Sequence, residues 1–95
     1  MQIESIRHKA LSRFYLTGNA KGLDGKLIER LRKMLTYIVN SRDFEELKLQ
    51  PNYGLHALTG DRAGSWSMTV TKNWRMTFTK IDEHSVADLD LEDYH

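Results

Sequence analysis

The chain has no cysteine and a single proline among its 95 residues. Without cysteine there is no disulfide and no thiolate zinc site, so the usual staples of small secreted domains are excluded. No apolar run approaches the ~20 residues needed to cross a bilayer. The opening Met1-Gln2-Ile3-Glu4-Ser5-Ile6 lacks the basic and then apolar pattern of a secretory signal. No Gly-Lys-Ser/Thr phosphate loop follows Gly18, Gly22 and Gly25, no Ser or Cys nucleophile motif is present, and the His and Asp spacings fit no metal site. The expectation is a soluble, cytoplasmic chain with no membrane contact, no metal and no cofactor. A hydrophobic content of 40% with 28% charged residues belongs to folded chains. One domain over residues 1–95, built on one modest core, is all that this length allows.

Net charge is also nearly absent, at +1, but its distribution is uneven. Residues 1–42 hold nine bases and three acids, a net of +6, and residues 43–95 hold five bases and ten acids, a net of −5. The last fifteen residues carry six acids and no Lys or Arg. A basic half of this kind suits an anionic partner, although charged runs are more often solvated helix faces.

Hydrophobic spacing predicts two helices and then strands. Leu11, Phe14 and Tyr15 recur at helical intervals between His8 and Thr17, with Gly18 as a stop. Asp24 is the expected N-cap of a second helix whose apolar stripe is Leu27, Leu31, Met34, Leu35 and Ile38. Its other face carries Lys26, Glu29, Arg30 and Lys33, with Glu29 and Lys33 spaced as an ion pair. Asp43 to Leu47 adds a further helical turn. After Gly54 the period changes to 2. Trp66, Met68 and Val70 alternate with polar residues, as do Trp74, Met76 and Phe78. A three-residue loop, Thr71-Lys72-Asn73, pairs Val70 with Trp74, Met68 with Met76 and Trp66 with Phe78. That register gathers all six apolar residues on one face and places Asn73 at a left-handed position. Arg75 then lies on the other face among Ser67, Thr69, Thr77 and Thr79. Met1 to Ile6, Leu55 to Thr59 and Ser85 to Leu91 are further strands, the last with Ala87, Leu89 and Leu91 inward. The fold expected is α+β, with two N-terminal helices packed on one face of a small, mainly antiparallel sheet and a polar second face left open.

That open face is where chemistry is expected. His56, His84 and His95 lie in the strand half, and imidazole is the side chain best suited to proton transfer near neutral pH. Arg75 brings a phosphate-binding fork. With Asp93-Tyr94-His95 folded back at the rim, His56 and Arg75 suit metal-free cleavage of an RNA phosphodiester. One base takes the 2′-OH proton, one acid protonates the leaving oxygen, and a cation holds the growing phosphate charge. Trp66, Trp74 and Phe78 fall on the packed face and are core residues rather than base-stacking platforms.

Three separated stretches resemble one family. Tyr53-Gly54-Leu55-His56-Ala57-Leu58-Thr59-Gly60-Asp61-Arg62-Ala63-Gly64-Ser65-Trp66-Ser67, then Asn73-Trp74-Arg75-Met76-Thr77-Phe78, then Asp93-Tyr94-His95 are similar to the HigB-type toxins, killer proteins of the RelE/ParE superfamily. Arg7-His8-Lys9-Ala10-Leu11 and Arg30-Leu31-Arg32-Lys33-Met34-Leu35 extend the likeness over the whole chain. The resemblance implies a RelE/ParE-like toxin of a type II toxin–antitoxin system, a ribosome-dependent endoribonuclease acting on mRNA and held in check by a HigA-like helix-turn-helix antitoxin. Operator DNA would be met only through that antitoxin. It implies His56, Arg75, Asp93, Tyr94 and His95 as catalytic residues, with His56 and His95 as proton-transfer groups in either order. Arg62 corresponds to the family's loop arginine. Lys, frequent in the family after His-x-Leu, is here Thr59, which would shift phosphate binding toward Arg62 or Lys72. Arg30, Arg32 and Lys33 form a basic face for ribosomal RNA or, equally, for the antitoxin. Thr59 and the modest net charge also fit a binding module that co-regulates operon DNA binding with little nuclease activity. A gyrase poison of the ParE kind is a third alternative, against which the terminal Asp93-Tyr94-His95 argues.

Overall fold

In the computed structural model, which describes residues 1–93, the apolar periodicities become the elements that their spacing predicts. Lys9–Thr17 form helix α1 and Ile28–Asn40 form helix α2. The His8 ring caps α1, its Nδ1 accepting the Leu11 N–H at 3.1 Å. Gly18 ends the helix at φ 79°, where its N–H reaches the Phe14 carbonyl at 2.9 Å. Asp24 does not cap α2. Its carboxylate accepts the Lys26 N–H at 2.9 Å and its carbonyl the Leu27 N–H at 2.9 Å, so it closes a turn ahead of the helix. Leu27, Leu31, Met34, Leu35 and Ile38 are all buried, as are Leu11 and Phe14, but Tyr15 is exposed. Tyr15 lines a groove of about 300 Å³ between the helices, with Phe14, Leu35 and Val39. Glu29 pairs with Arg32, one turn position short of the expected Lys33.

Phe44–Leu47 form a short helix α3, capped by Asp43, whose carboxylate accepts the Glu46 N–H at 2.9 Å. Phe44 is buried and meets Trp66 edge-on, with ring centroids 4.8 Å apart, and Phe78 at 6.5 Å. Two 3-10 turns, Pro51–Tyr53 and Gly60–Arg62, flank the first strand of the sheet's antiparallel part.

The strands are β1 (Gln2–Ile3), β2 (His56–Ala57), β3 (Ser65–Thr69), β4 (Trp74–Asp82) and β5 (Ser85–Asp93). Their order is β1-β5-β4-β3-β2, with β2 to β5 an antiparallel meander and β1 parallel to β5. Met68 opposes Met76 and Trp66 opposes Phe78, the register that one-sided burial demands. Asn73 is not left-handed, because Asp88 is the non-glycine with positive φ among the described residues. The turn is closed instead by the Trp74 carbonyl, which accepts from Val70 at 3.0 Å and Thr71 at 3.1 Å.

Asp88, at φ 54°, sits in a bulge where β5 gains a residue between the pairs Thr77–Asp90 and Thr79–Ala87. The extra residue shifts the phase of the strand. Val86, Leu89 and Leu91 therefore join the core, while Ala87 turns to the other face, against the simple alternation expected. Ser5 fixes the bulge. Its hydroxyl accepts the Asp88 N–H at 2.9 Å and donates to the Asp88 carboxylate at 3.3 Å. The buried residues of both long helices and of the sheet form one apolar cluster, which places the helices over one sheet face. Among the described residues, no helix is long and apolar enough to cross a membrane.

Phe44 links α3 to the hairpin, and truncating it opens a cavity that its rigid neighbours cannot fill. Phe44→Ala is expected to lower the unfolding free energy by about 3–5 kcal/mol with an unchanged urea m-value, as measured by equilibrium denaturation.

Candidate active site

Strand pairing places His56, Ser67, Thr77, Arg75 and Glu92 on the sheet face away from the helices. His56 opposes Ser67, Ser67 opposes Thr77, and Arg75 opposes Glu92. Arg75 thus stands where the hairpin register predicts. The face is not open throughout, however, since Ser67 is 1% and Thr77 2% exposed.

Glu92 occupies that middle. Both of its oxygens receive the Arg62 fork, at 2.7 and 2.6 Å. Arg75 Nη2 donates to Oε1 at 3.3 Å, and the Thr77 hydroxyl donates to Oε2. The Glu92 side chain is 22% exposed. The Arg62 hydrogen bonds, then those of Thr77 and the Arg62 charge, hold its pKa at about 2 rather than 4.5, against the opposing cost of burial. Glu92 stays ionised at any physiological pH. No motif in the sequence singled it out.

His56 is exposed on β2, one of the sheet's two edge strands. Its Nδ1 lies 2.8 Å from the Gly54 carbonyl. A carbonyl only accepts, so Nδ1 carries the proton and the neutral ring keeps its lone pair on Nε2. Gly54 is left-handed at φ 56°, the conformation that turns this carbonyl toward the ring and that glycine adopts without strain. Arg30 braces the same segment from α2. Its guanidinium donates to the carbonyls of Val70 (3.0 Å), Asn52 (3.1 Å) and Thr69 (3.2 Å) and lies 4.8 Å over the Tyr53 ring.

Asp93 opposes Trp74, so its register position belongs to the helix side of the sheet, at an exposed end. Tyr94 and His95 lie outside the described residues. Among the five basic positions singled out in the sequence, Arg30 and Arg62 are engaged in the networks above. Arg32 pairs with Glu29 and lies 5.5 Å over the Phe14 ring, while Lys33 and Lys72 are exposed. Thr59 is exposed and begins the turn that carries Arg62, whose N–H its carbonyl accepts at 3.4 Å. His84 is remote in role, its Nδ1 lying 3.2 Å from the Arg42 carbonyl.

The HigB-like family, described as RelE-like toxins of type II toxin–antitoxin systems, matches residues 4–95, and the chain belongs to it. It is 39% identical over 93 residues to Endoribonuclease HigB of Proteus vulgaris, an alignment covering 98% of this chain and 99% of that one. YafQ from E. coli superposes with a TM-score of 0.64 at 17% identity, over 97% of this chain and 91% of that structure. The Staphylococcus aureus YoeB dimer gives 0.57 at 17% identity, over 100% and 97%. The two structural likenesses show a shared fold.

The depressed pKa of Glu92 predicts how stability depends on pH. Its folded value lies below the unfolded one, so the contribution is present above about pH 4.5 and disappears as pH falls toward 2. Glu92→Gln is expected to lower stability at pH 7 by on the order of 2–3 kcal/mol. In urea titrations at several pH values, the gap between wild type and variant should close through that window.

Proposed function

We propose that this toxin is an endoribonuclease that cuts mRNA on the translating ribosome by acid–base chemistry, without a metal, in the cytoplasm. The single observation that carries the reading is the full-length match to a relative named as an endoribonuclease. The free face supports it with the side chains that such a reaction uses.

His56 is the general base in this reading, because its Nδ1 is engaged by Gly54 and Nε2 remains to take a proton. It removes the proton of a ribose 2′-OH, and the oxygen attacks the adjacent phosphorus. The bond to the 5′-oxygen breaks, and His95 returns a proton to that leaving oxygen. Arg75 holds the phosphate oxygens as their charge grows. Asp93 orients His95, and Tyr94 positions a base of the substrate. Arg32, Lys33 and Lys72 supply salt-dependent contacts to ribosomal RNA.

Membership in a type II toxin family implies an antitoxin partner. The reading is that this antitoxin is HigA-like, carries a helix-turn-helix, and alone connects the toxin to operator DNA.

Induced expression without antitoxin tests the assignment. Wild type is expected to arrest growth and fragment mRNA, whereas His95→Ala, His56→Ala and Arg75→Ala each slow cleavage by about 10²- to 10⁴-fold. The reading falls if His95→Ala and Arg75→Ala both still arrest growth and cut mRNA as wild type does.

A further inference from the structure

We propose that Glu92 is a positioning residue. Its carboxylate holds Arg75 and the Arg62 loop in the arrangement that meets one substrate phosphate. This inference rests on the nuclease reading above.

Three observations carry it. The first is saturation. The carboxylate accepts two bonds from Arg62, one from Arg75 and one from Thr77. A carboxylate has about four lone-pair sites, so Glu92 has no site left for a substrate proton. It is a fixed anion rather than a base.

The second is charge. Two guanidiniums around one carboxylate leave a net charge of +1, the complement of one phosphodiester. Without the carboxylate, two cations on adjacent segments would repel and separate. The contacts are also graded. Arg62 is forked at 2.6–2.7 Å, whereas the Arg75 contact is 3.3 Å. An incoming phosphate meets an Arg75 already oriented by the carboxylate, while the Arg62 clamp stays closed.

The third is connectivity. Arg62 lies in the loop that begins just after His56, Arg75 lies on β4, and Glu92 itself directly precedes Asp93. One carboxylate thus joins the three stretches that carry the proposed catalytic groups. Arg62, read from the sequence as an RNA contact, acts here through Glu92.

The test is single-turnover cleavage of mRNA on programmed ribosomes by wild type, Glu92→Gln, Arg62→Met and the double variant. Each is assayed below its own melting transition. The expected result is a plateau rate about 10- to 100-fold lower for Glu92→Gln, with the half-saturating ribosome concentration changed less than about threefold. Arg62→Met should lose a similar factor, and the double variant should be no slower than the slower single, since both remove one clamp. A Glu92→Gln plateau within about threefold of wild type overturns the proposal, whatever happens to half-saturation. A tighter half-saturation with an unchanged plateau would show instead that the carboxylate competes with the phosphate. Losses that multiply in the double variant also overturn it. If Glu92→Gln does not fold, the Arg62→Met plateau decides by the same threefold limit. Wild type that leaves mRNA intact overturns the nuclease reading and this one together. Wild-type cleavage matched by Glu92→Gln overturns this one alone.

Discussion

The Glu92 carboxylate, set between the guanidiniums of Arg62 and Arg75, is the contact around which the free face of the sheet is organised. It solves a problem that the fold creates. Ser67 and Thr77 lie buried in the middle of that face, and two cations stand close above them. A polar face with no counter-ion would stay hydrated and leave the arginines apart. One ionised acid gathers them, gives the Thr77 hydroxyl a partner, and ties the loop after β2 to the last strand.

How much of this was legible in the sequence depended on whether one-sided burial was involved. The register of the β3–β4 hairpin was legible, though not the conformation of Asn73 in its turn, because only one register sends Trp66, Met68, Val70, Trp74, Met76 and Phe78 to the same side. The stripe on α2 was legible for the same reason. The phase of β5 was not, because Asp88 takes a left-handed conformation that Asp tolerates but does not announce. With no bulge foreseen, Ala87 was aligned with Leu89 and Leu91, whereas it is buried on the opposite face, and Val86 was left unassigned. Glu92 was missed because its importance is a matter of pairing rather than of local pattern. Once β4 and β5 are aligned, an acid directly opposite Arg75 is a favourable cross-strand pair, and that was the available signal.

The uneven charge of the two halves also takes on a different meaning in three dimensions. Part of the basic surplus in residues 1–42 makes contacts within the molecule. Arg30 reaches across to the carbonyls at both ends of the segment from Asn52 to Val70, and so supports the loop that holds His56. Arg32 lies along Phe14. On α2 the exposed cations are Arg32 and Lys33, with Lys72 at the hairpin tip across the fold. Of the nine bases in residues 1–42, Arg30 alone is drawn back from the exposed surface, so the anionic partner foreseen from composition would still meet most of them.

The Ser5 hydroxyl that pins the bulge lies 83 positions from Asp88. The meander of β2 to β5 needs only short turns, so its loop-closure entropy is small, whereas the β1–β5 seam closes nearly the whole chain. The strand that comes first in sequence is thus the one whose docking carries the greatest entropic cost. Fixing the last strand's phase, and with it the direction in which Glu92 points, falls to a contact that closes nearly the whole chain.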